Sequence, residues 1–239
     1  MEGIMKFTGE RVIEGETPSR IWLEHVARYE FASDWVRGKK VLDIACGTGY
    51  GSRLLHDHGA STVLGVDIDA EAVSYANKRY GCPGLEFAAG DALNFKASAD
   101  FDVVVSFETL EHLPAPAQFV RSIPSLLVNS GIFIVSTPNR RVTSPGKLIA
   151  EKCDNPFHQI EYAKGEFAEL LGESFGSVKI YGQRENHKLK VLFIKAIRKV
   201  AGMFSTQPYV LIDGEPEVKK ISALYEPRYF VAVCSSSRT

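Results

Sequence analysis

Three features of the chain predict an α/β fold built on a mostly parallel sheet. Short β-branched runs alternate with helical stretches from residue 40 onward, a glycine-rich turn follows the first run, and an acidic residue closes the second. The strand-like runs fall at residues 41–44, 62–66, 85–88, 101–107 and 131–136, with helical stretches at 51–57, 70–79, 116–127 and 164–171. Each helical stretch is long enough for the right-handed crossover that joins parallel neighbours. Ahead of this core, in residues 1–38, Ile21, Trp22, His25, Val26, Tyr29, Phe31 and Ala32 recur at roughly helical spacing and predict a helical cap. After the core, residues 40–182, the pattern changes. Residues 177–181 and 228–234 read as two strands separated by an insertion at 183–226, and the last strand with its tail occupies 227–239. Within the insertion Leu189, Leu192, Phe193, Ala196, Ile197, Val200 and Phe204 share one helical face, beside Lys188, Lys195, Arg198 and Lys199. Such a basic amphipathic helix has three readings: packing on its own domain, a substrate lid or dimer contact through residues 187–204, or docking on an anionic membrane surface.

At 239 residues and 45% hydrophobic content, the chain suits one well-buried core, so residues 1–239 are expected to form a single domain. The formal net charge of -1, from 28 basic and 29 acidic residues, supplies no global attraction for a polyanion, and no nucleic-acid partner is expected. Cys46, Cys82, Cys153 and Cys234 are widely spaced and form no CxxC pair, which points to reduced thiols and a cytoplasmic location. Residues 1–6 contain no apolar signal core, and no run approaches a membrane span. Peripheral attachment to the inner face of a membrane would depend on the basic helix.

The chemistry begins where the first strand runs into Gly47-Thr48-Gly49-Tyr50-Gly51-Ser52. Glycine tolerates positive φ and has no side chain, so the backbone there can turn sharply and approach a ligand. Asp67 ends the second strand about twenty residues after the turn, where its carboxylate can accept hydrogen bonds from both hydroxyls of a ribose. Asp91, with the adjacent Ala92 amide, stands after the third strand where an adenine edge would lie. A dinucleotide fingerprint requires a third glycine where this chain has Ser52, which weakens a nicotinamide-dependent oxidoreductase. Asp43, just ahead of the turn, favours a cationic group and would repel a pyrophosphate. A cofactor-binding protein without catalysis is a further alternative.

Taken in order, Val41 to Ser52, Gly65-Val66-Asp67-Ile68-Asp69, Gly90-Asp91-Ala92 and Phe101 to Leu113 resemble the motifs of class I S-adenosylmethionine-dependent methyltransferases. The resemblance implies a Rossmann-like, seven-stranded, mostly parallel sheet with helices on both faces and an antiparallel last strand between strands five and six. It also implies S-adenosylmethionine as cofactor and S-adenosylhomocysteine as product, with Asp43, Cys46, Gly47, Thr48, Gly49, Asp67, Ile68, Asp91, Ala92 and Phe107 around it. A narrower likeness is carried by Thr8-Gly9-Glu10-Arg11, Glu24 to Tyr29, Ser106 to Leu113, Ser136-Thr137-Pro138-Asn139 and Asn155 to Tyr162. These stretches are similar to methyltransferases of bacterial surface-polysaccharide and glycan biosynthesis, and imply O-methylation of a saccharide or other small-molecule acceptor. Quinone, polyketide and N-acceptors remain alternatives.

A hydroxyl acceptor requires a base, and α/β enzymes bind ligands at the carboxyl edge of the sheet. His112 and His158 are the candidate bases, with Glu161 three residues beyond His158 to orient it, and Glu108 as a further catalytic candidate. Arg11, Arg28 and Tyr29 are expected to close over the cofactor, and Asn139 and Glu161 to meet substrate. His56-Asp57-His58 reads as a solvated helix end, and metal-independent chemistry is expected.

Overall fold

The computed structural model describes residues 12–97, 101–187 and 216–236. Arg11, the remainder of the first motif and the basic amphipathic helix predicted within 188–204 lie outside the described residues. The expected alternation is present. Helix α1 (Ser19–Ser33) precedes β1 (Lys40–Ile44), α2 (Tyr50–Asp57), β2 (Thr62–Asp67), α3 (Ala70–Tyr80), β3 (Leu85–Ala89) and β4 (Phe101–Ser106). Then come α4 (Pro116–Ser122), β5 (Leu127–Pro138), α5 (Arg140–Thr143), α6 (Lys164–Gly172), β6 (Ser177–His187), β7 (Val218–Lys220) and β8 (Tyr225–Ser235).

The strands form one sheet in the order β3-β2-β1-β4-β5-β8-β6-β7. The first five are mutually parallel, and β8 lies antiparallel between β5 and β6. Among the described residues, eight strands stand where seven were expected, because β7 adds to the outer edge of β6, pairing Tyr181 with Lys220 and Gln183 with Val218. The insertion boundaries also move. The β6–β8 ladder continues through Glu185↔Pro227 and His187↔Tyr225, so 183–187 and 225–226 are strand rather than insertion. Gln183, Arg184 and Glu185 do not read as an apolar strand, yet they are stabilised as one by buried partners. Arg28 Nη1 donates to Gln183 Oε1 at 2.6 Å, and the Arg184 guanidinium pairs with the buried Glu24 carboxylate.

Two apolar layers enclose the sheet. Val41, Val103, Val105 and Ile134 pack with Ala32, Leu55 and Val73 beneath α1, α2 and α3, whereas Leu42, Val104, Phe133 and Val135 pack with Phe119, Phe167 and Leu171 beneath α4 and α6. The uninterrupted run Val103-Val104-Val105 follows from this arrangement, since a central strand buried on both faces needs apolar side chains in both directions. Among the described residues, no helix is long and apolar enough to cross a membrane, and all four cysteines are free.

Candidate cofactor and acceptor site

A cavity of about 1140 Å³ opens at the carboxyl ends of the parallel strands. One end is made by the turn after β1. Ala45, Gly47 and Gly49 all have positive φ, at 62°, 57° and 84°, which reverses the chain within a few residues and lets α2 begin at Tyr50. Asp67 holds the turn in place: its Oδ2 accepts from Gly47 N–H at 2.7 Å, and its Oδ1 accepts from Asp69 N–H at 3.0 Å. Ala45, Cys46, Gly47, Thr48, Asp67, Ile68, Asp91, Ala92 and Phe107 all line the cavity. A Cβ on Gly47 would meet nothing within 4 Å, so at this glycine the open side is the cavity itself. Thr48 Oγ1 donates to Val12 C=O at 2.8 Å, tying the segment before α1 to the turn, and Val12, Pro18, Ile21 and Tyr29 supply one wall.

Asp43 lies behind the turn, fully buried, accepting from Ser52 Oγ at 2.6 Å and from Tyr29 OH at 3.2 Å. Burial pushes its carboxyl up to about 7 against the lowering effect of those two hydroxyls. Because the folded state holds this proton more tightly than the unfolded chain, whose aspartate titrates near pH ~3.9, stability falls as pH rises from about 4 to about 7 and then levels off. Asp43→Asn is therefore expected to flatten the fall in urea midpoint between about pH 5 and about pH 8. Identical slopes for the two proteins would rule out Asp43 as the source.

The other end of the cavity is built where the loop after β4 meets the loop after α5. Glu111 C=O accepts from Gln159 N–H at 2.7 Å, and His112 C=O accepts from Gln159 Nε2 at 3.0 Å, so two sequence-distant segments are stapled together. Glu108 has φ 52° and is held by Ser136, whose Oγ accepts from its N–H at 3.0 Å and donates to its Oε1 at 2.7 Å. A non-glycine residue in that region is strained, and such strain persists where the surroundings over-determine it, commonly at functional sites. Glu111 is fully buried, with Oε2 accepting from Thr137 Oγ1 at 3.2 Å and Oε1 accepting no hydrogen bond. Burial, reinforced by the neighbouring Glu108 charge, pushes its carboxyl well above the usual range. His158 Nδ1 lies 2.7 Å from Glu161 Oε1, and Thr143 Oγ1 donates to Glu161 Oε2 at 2.7 Å. These bonds hold the Glu161 carboxyl below its ordinary value despite its burial.

The methyltransferase-domain family matches residues 36–195 of the chain. This chain belongs to the methyltransferase-domain family. A probable S-adenosylmethionine-dependent methyltransferase of Mycolicibacterium smegmatis is 37% identical over 169 residues, which cover 70% of this chain and 63% of that protein. The ubiquinone biosynthesis O-methyltransferase of Stutzerimonas stutzeri is 37% identical over 107 residues, covering 43% of this chain and 46% of that enzyme. Among solved structures, an S-adenosylmethionine-dependent methyltransferase from Mesorhizobium loti superposes with a TM-score of 0.60 at 17% identity, covering 88% of this chain and 98% of that one. That likeness concerns the fold. The matched region spans less than two thirds of the first two proteins' lengths.

Among the described residues, five of those expected to meet a ligand stand away from the cavity wall. Asp43 supports the turn from beneath. Gly49 is packed, since a Cβ there would come within 2.6 Å of both Ala76 Cβ and the Phe87 ring. Arg28 is buried between Gln183 and the Tyr229 ring, its guanidinium carbon 4.9 Å from the ring centroid. Asn139 is buried, donating through Nδ2 to Glu226 Oε1 at 3.0 Å and to Pro227 C=O at 2.7 Å. Glu161 reaches the cavity only through His158. Conversely, Glu24, His25, Glu111, Asn155, Arg228 and Tyr229 line the cavity without having been singled out as site residues. Glu111 had a readable signal, the Glu-His pair just after a central strand; Arg228 and Tyr229 had none, being ordinary-looking strand residues. One potential ligand atom from each of Glu111, His112 and His158 lies within 4.8 Å of the other two. His56-Asp57-His58 does sit at a helix end, with Asp57 paired to Arg53 at 2.8 Å.

Proposed function

We propose that this protein is an S-adenosylmethionine-dependent O-methyltransferase whose acceptor is a sugar, a nucleotide sugar or a glycan end. The observation that carries the reading is the continuity of one cavity from Gly47 and Asp67 to a wall of hydrogen-bonding side chains, Glu108, Glu111, His112, Asn155, His158 and Arg228. Its volume of about 1140 Å³ exceeds the ~300–1,000 Å³ usual for one small ligand, so donor and acceptor fit together. A polyhydroxyl acceptor satisfies that wall. A flat apolar acceptor would leave its polar groups unpaired, at about 1–3 kcal/mol for each one desolvated.

S-adenosylmethionine supplies a methyl carbon already activated by its sulfonium. The protein's task is alignment, which can contribute on the order of 7–11 kcal/mol, together with removal of the acceptor proton. Asp67 is suited to a ribose, Asp91 with the Ala92 amide to an adenine edge, and the cluster at Glu108, His112 and His158 to the acceptor hydroxyl. The relatives support the donor, and the quinone O-methyltransferase among them makes a phenolic acceptor the principal competitor. Incubation with S-adenosylmethionine and a panel of nucleotide sugars, saccharides and catechols, read by mass spectrometry, is expected to yield a saccharide heavier by one methylene. Turnover confined to the catechols would overturn the acceptor assignment. Calorimetry should show binding of S-adenosylhomocysteine and none of NAD.

A further inference from the structure

We propose that Arg228 and Tyr229 form a subsite for an oxyanion carried by the acceptor, either the carboxylate of an acidic sugar or the phosphate of a sugar phosphate or nucleotide sugar. Both residues line the cavity, near the start of β8. Because β8 runs antiparallel, its first residues arrive at the carboxyl edge of the sheet, where Tyr229 pairs with Pro138 at the end of β5. Arg228 Nε donates to Tyr229 OH at 3.1 Å, which occupies one donor of the guanidinium and leaves the fork of its two terminal nitrogens. Among the described residues, no carboxylate or carbonyl oxygen accepts from that fork. Tyr229 OH accepts from Arg228 and keeps its own hydrogen to donate, since burial pushes the hydroxyl up to about 12. Three donors are thus held together at one place in the cavity wall.

The carboxyl groups that line the cavity on this side are engaged elsewhere. Glu24 is held by the Arg184 guanidinium and lies 3.8 Å from Arg20, and Glu108 Oε1 accepts from Ser136 Oγ. Burial, with the Glu108 charge beside it, pushes the Glu111 carboxyl well above its ordinary range, so it adds little negative charge. A second cation lies against the same tyrosine ring. The guanidinium carbon of the fully buried Arg28 is 4.9 Å from the Tyr229 centroid, and that of Arg228 is 5.5 Å away. Arg28 Nη1 donates to Gln183, whereas its Nε and Nη2 are buried with no acceptor. Burying a cation with unfilled donors is costly. An anion beside Tyr229 offsets that cost through space; a neutral acceptor does not.

The subsite's role rests on the methyltransferase reading above; oxyanion binding by itself does not. S-adenosylmethionine also carries a carboxylate, and position separates the two. In the sheet, β8 stands three strand spacings from β1, roughly 14 Å, with the loop after β4 between them. That distance puts Arg228 with the acceptor rather than with the turn at Gly47. An arginine fork grips a carboxylate or phosphate through two parallel, charge-assisted hydrogen bonds, which fix direction as well as strength. Anchoring a polyhydroxyl acceptor at one end in this way selects which of its hydroxyls is presented to the methyl donor. Arg228 is therefore a specificity-determining residue.

The test uses calorimetry on the full chain, first with S-adenosylhomocysteine and then, with that compound present in excess, with glucuronate, glucose 1-phosphate, UDP-glucose and glucose. Wild type is expected to bind at least one of the three anions about 10-fold or more tighter than glucose, and the carboxylate and phosphate arms identify which oxyanion the subsite takes. Arg228→Gln should weaken binding of that anion by about 10–100-fold, with S-adenosylhomocysteine affinity unchanged. Arg228→Lys keeps a charge beside the Tyr229 ring and loses the fork, so it should fall between the two and serves as the comparison if the glutamine variant does not fold. Anions that bind no better than glucose, or that bind wild type and both variants alike, would overturn the subsite. A loss of S-adenosylhomocysteine affinity in a folded Arg228→Gln protein would assign the guanidinium to the donor's carboxylate, overturning the acceptor subsite while the methyltransferase reading stands. Arg228-dependent anion binding by a chain that binds no S-adenosylhomocysteine would uphold the subsite and sink the methyltransferase reading.

Discussion

Asp67→Ala is expected to raise the dissociation constant for S-adenosylhomocysteine by at least about 100-fold while leaving the protein folded. Two contributions are lost together. The carboxylate accepts from Gly47 and Asp69 backbone N–H groups, so its removal frees the turn that forms the end of the cavity proposed for the cofactor. Its remaining lone pairs are those that would bind a ribose. A hydrogen bond to a charged group contributes about 1.5–3 kcal/mol, and losing two corresponds to roughly 10²–10⁴ in affinity. Asp67→Asn should be nearly as damaging, because its amide would turn a donor toward Gly47 N–H or Asp69 N–H. Calorimetry with S-adenosylhomocysteine, alongside circular dichroism to verify folding, provides the check. Unchanged affinity in a folded Asp67→Ala protein would remove Asp67 from the cofactor site.

Gly51→Ala is expected to act on stability instead. A Cβ at this position would come within 1.9 Å of Tyr29 Cζ. The ring cannot easily retreat: its hydroxyl is bonded to Asp43, and Tyr50 and Phe107 pack against it with centroids 5.6 and 5.0 Å away. Overpacking of this kind costs about 1–3 kcal/mol and occasionally more; with so little room the upper end is expected, or a fall in Tm of about 6–12 °C. Tyr29→Ala should relieve the clash, so a double-mutant cycle should show strong positive coupling. Gly47→Ala provides the contrast. With nothing within 4 Å but φ at +57°, it should cost only about 1–2 kcal/mol of backbone strain, and its methyl group should obstruct the cofactor. A Gly51→Ala protein that melts with wild type would show that α2 shifts freely away from α1.

These contrasting glycines show how far the linear pattern could be read. Alternating apolar runs, Asp67 at the end of β2 and the glycine turn are local signals. They depend on strand and helix periods and on positive φ, properties that a few neighbouring residues impose on the backbone. They were enough to anticipate the alternation of strands and helices and the turn that lines one end of the cavity, whereas the antiparallel strand between β5 and β6 was implied by the family resemblance. The pattern did not distinguish the glycine that faces the cavity, Gly47, from those that admit a neighbouring ring or helix, Gly49 and Gly51. It also placed Asp43 against the ligand, when Ser52 and Tyr29 enclose it beneath the turn.

The eighth strand and the acceptor end depend on contacts between distant segments. β6 extends through polar residues because Arg28 and Glu24, more than a hundred residues earlier in the chain, neutralise them in the interior. His112 and His158 were each visible as polar residues in loops at the carboxyl edge. Their meeting, with ring centroids 5.0 Å apart over the buried Glu111, follows from the staple between Gln159 and the backbone of Glu111 and His112. Local order along the chain was sufficient for the glycine-turn end of the cavity, because strand, turn and carboxylate are consecutive features of one βαβ unit. The acceptor half required packing, because its chemistry arises between loops whose proximity no periodicity encodes.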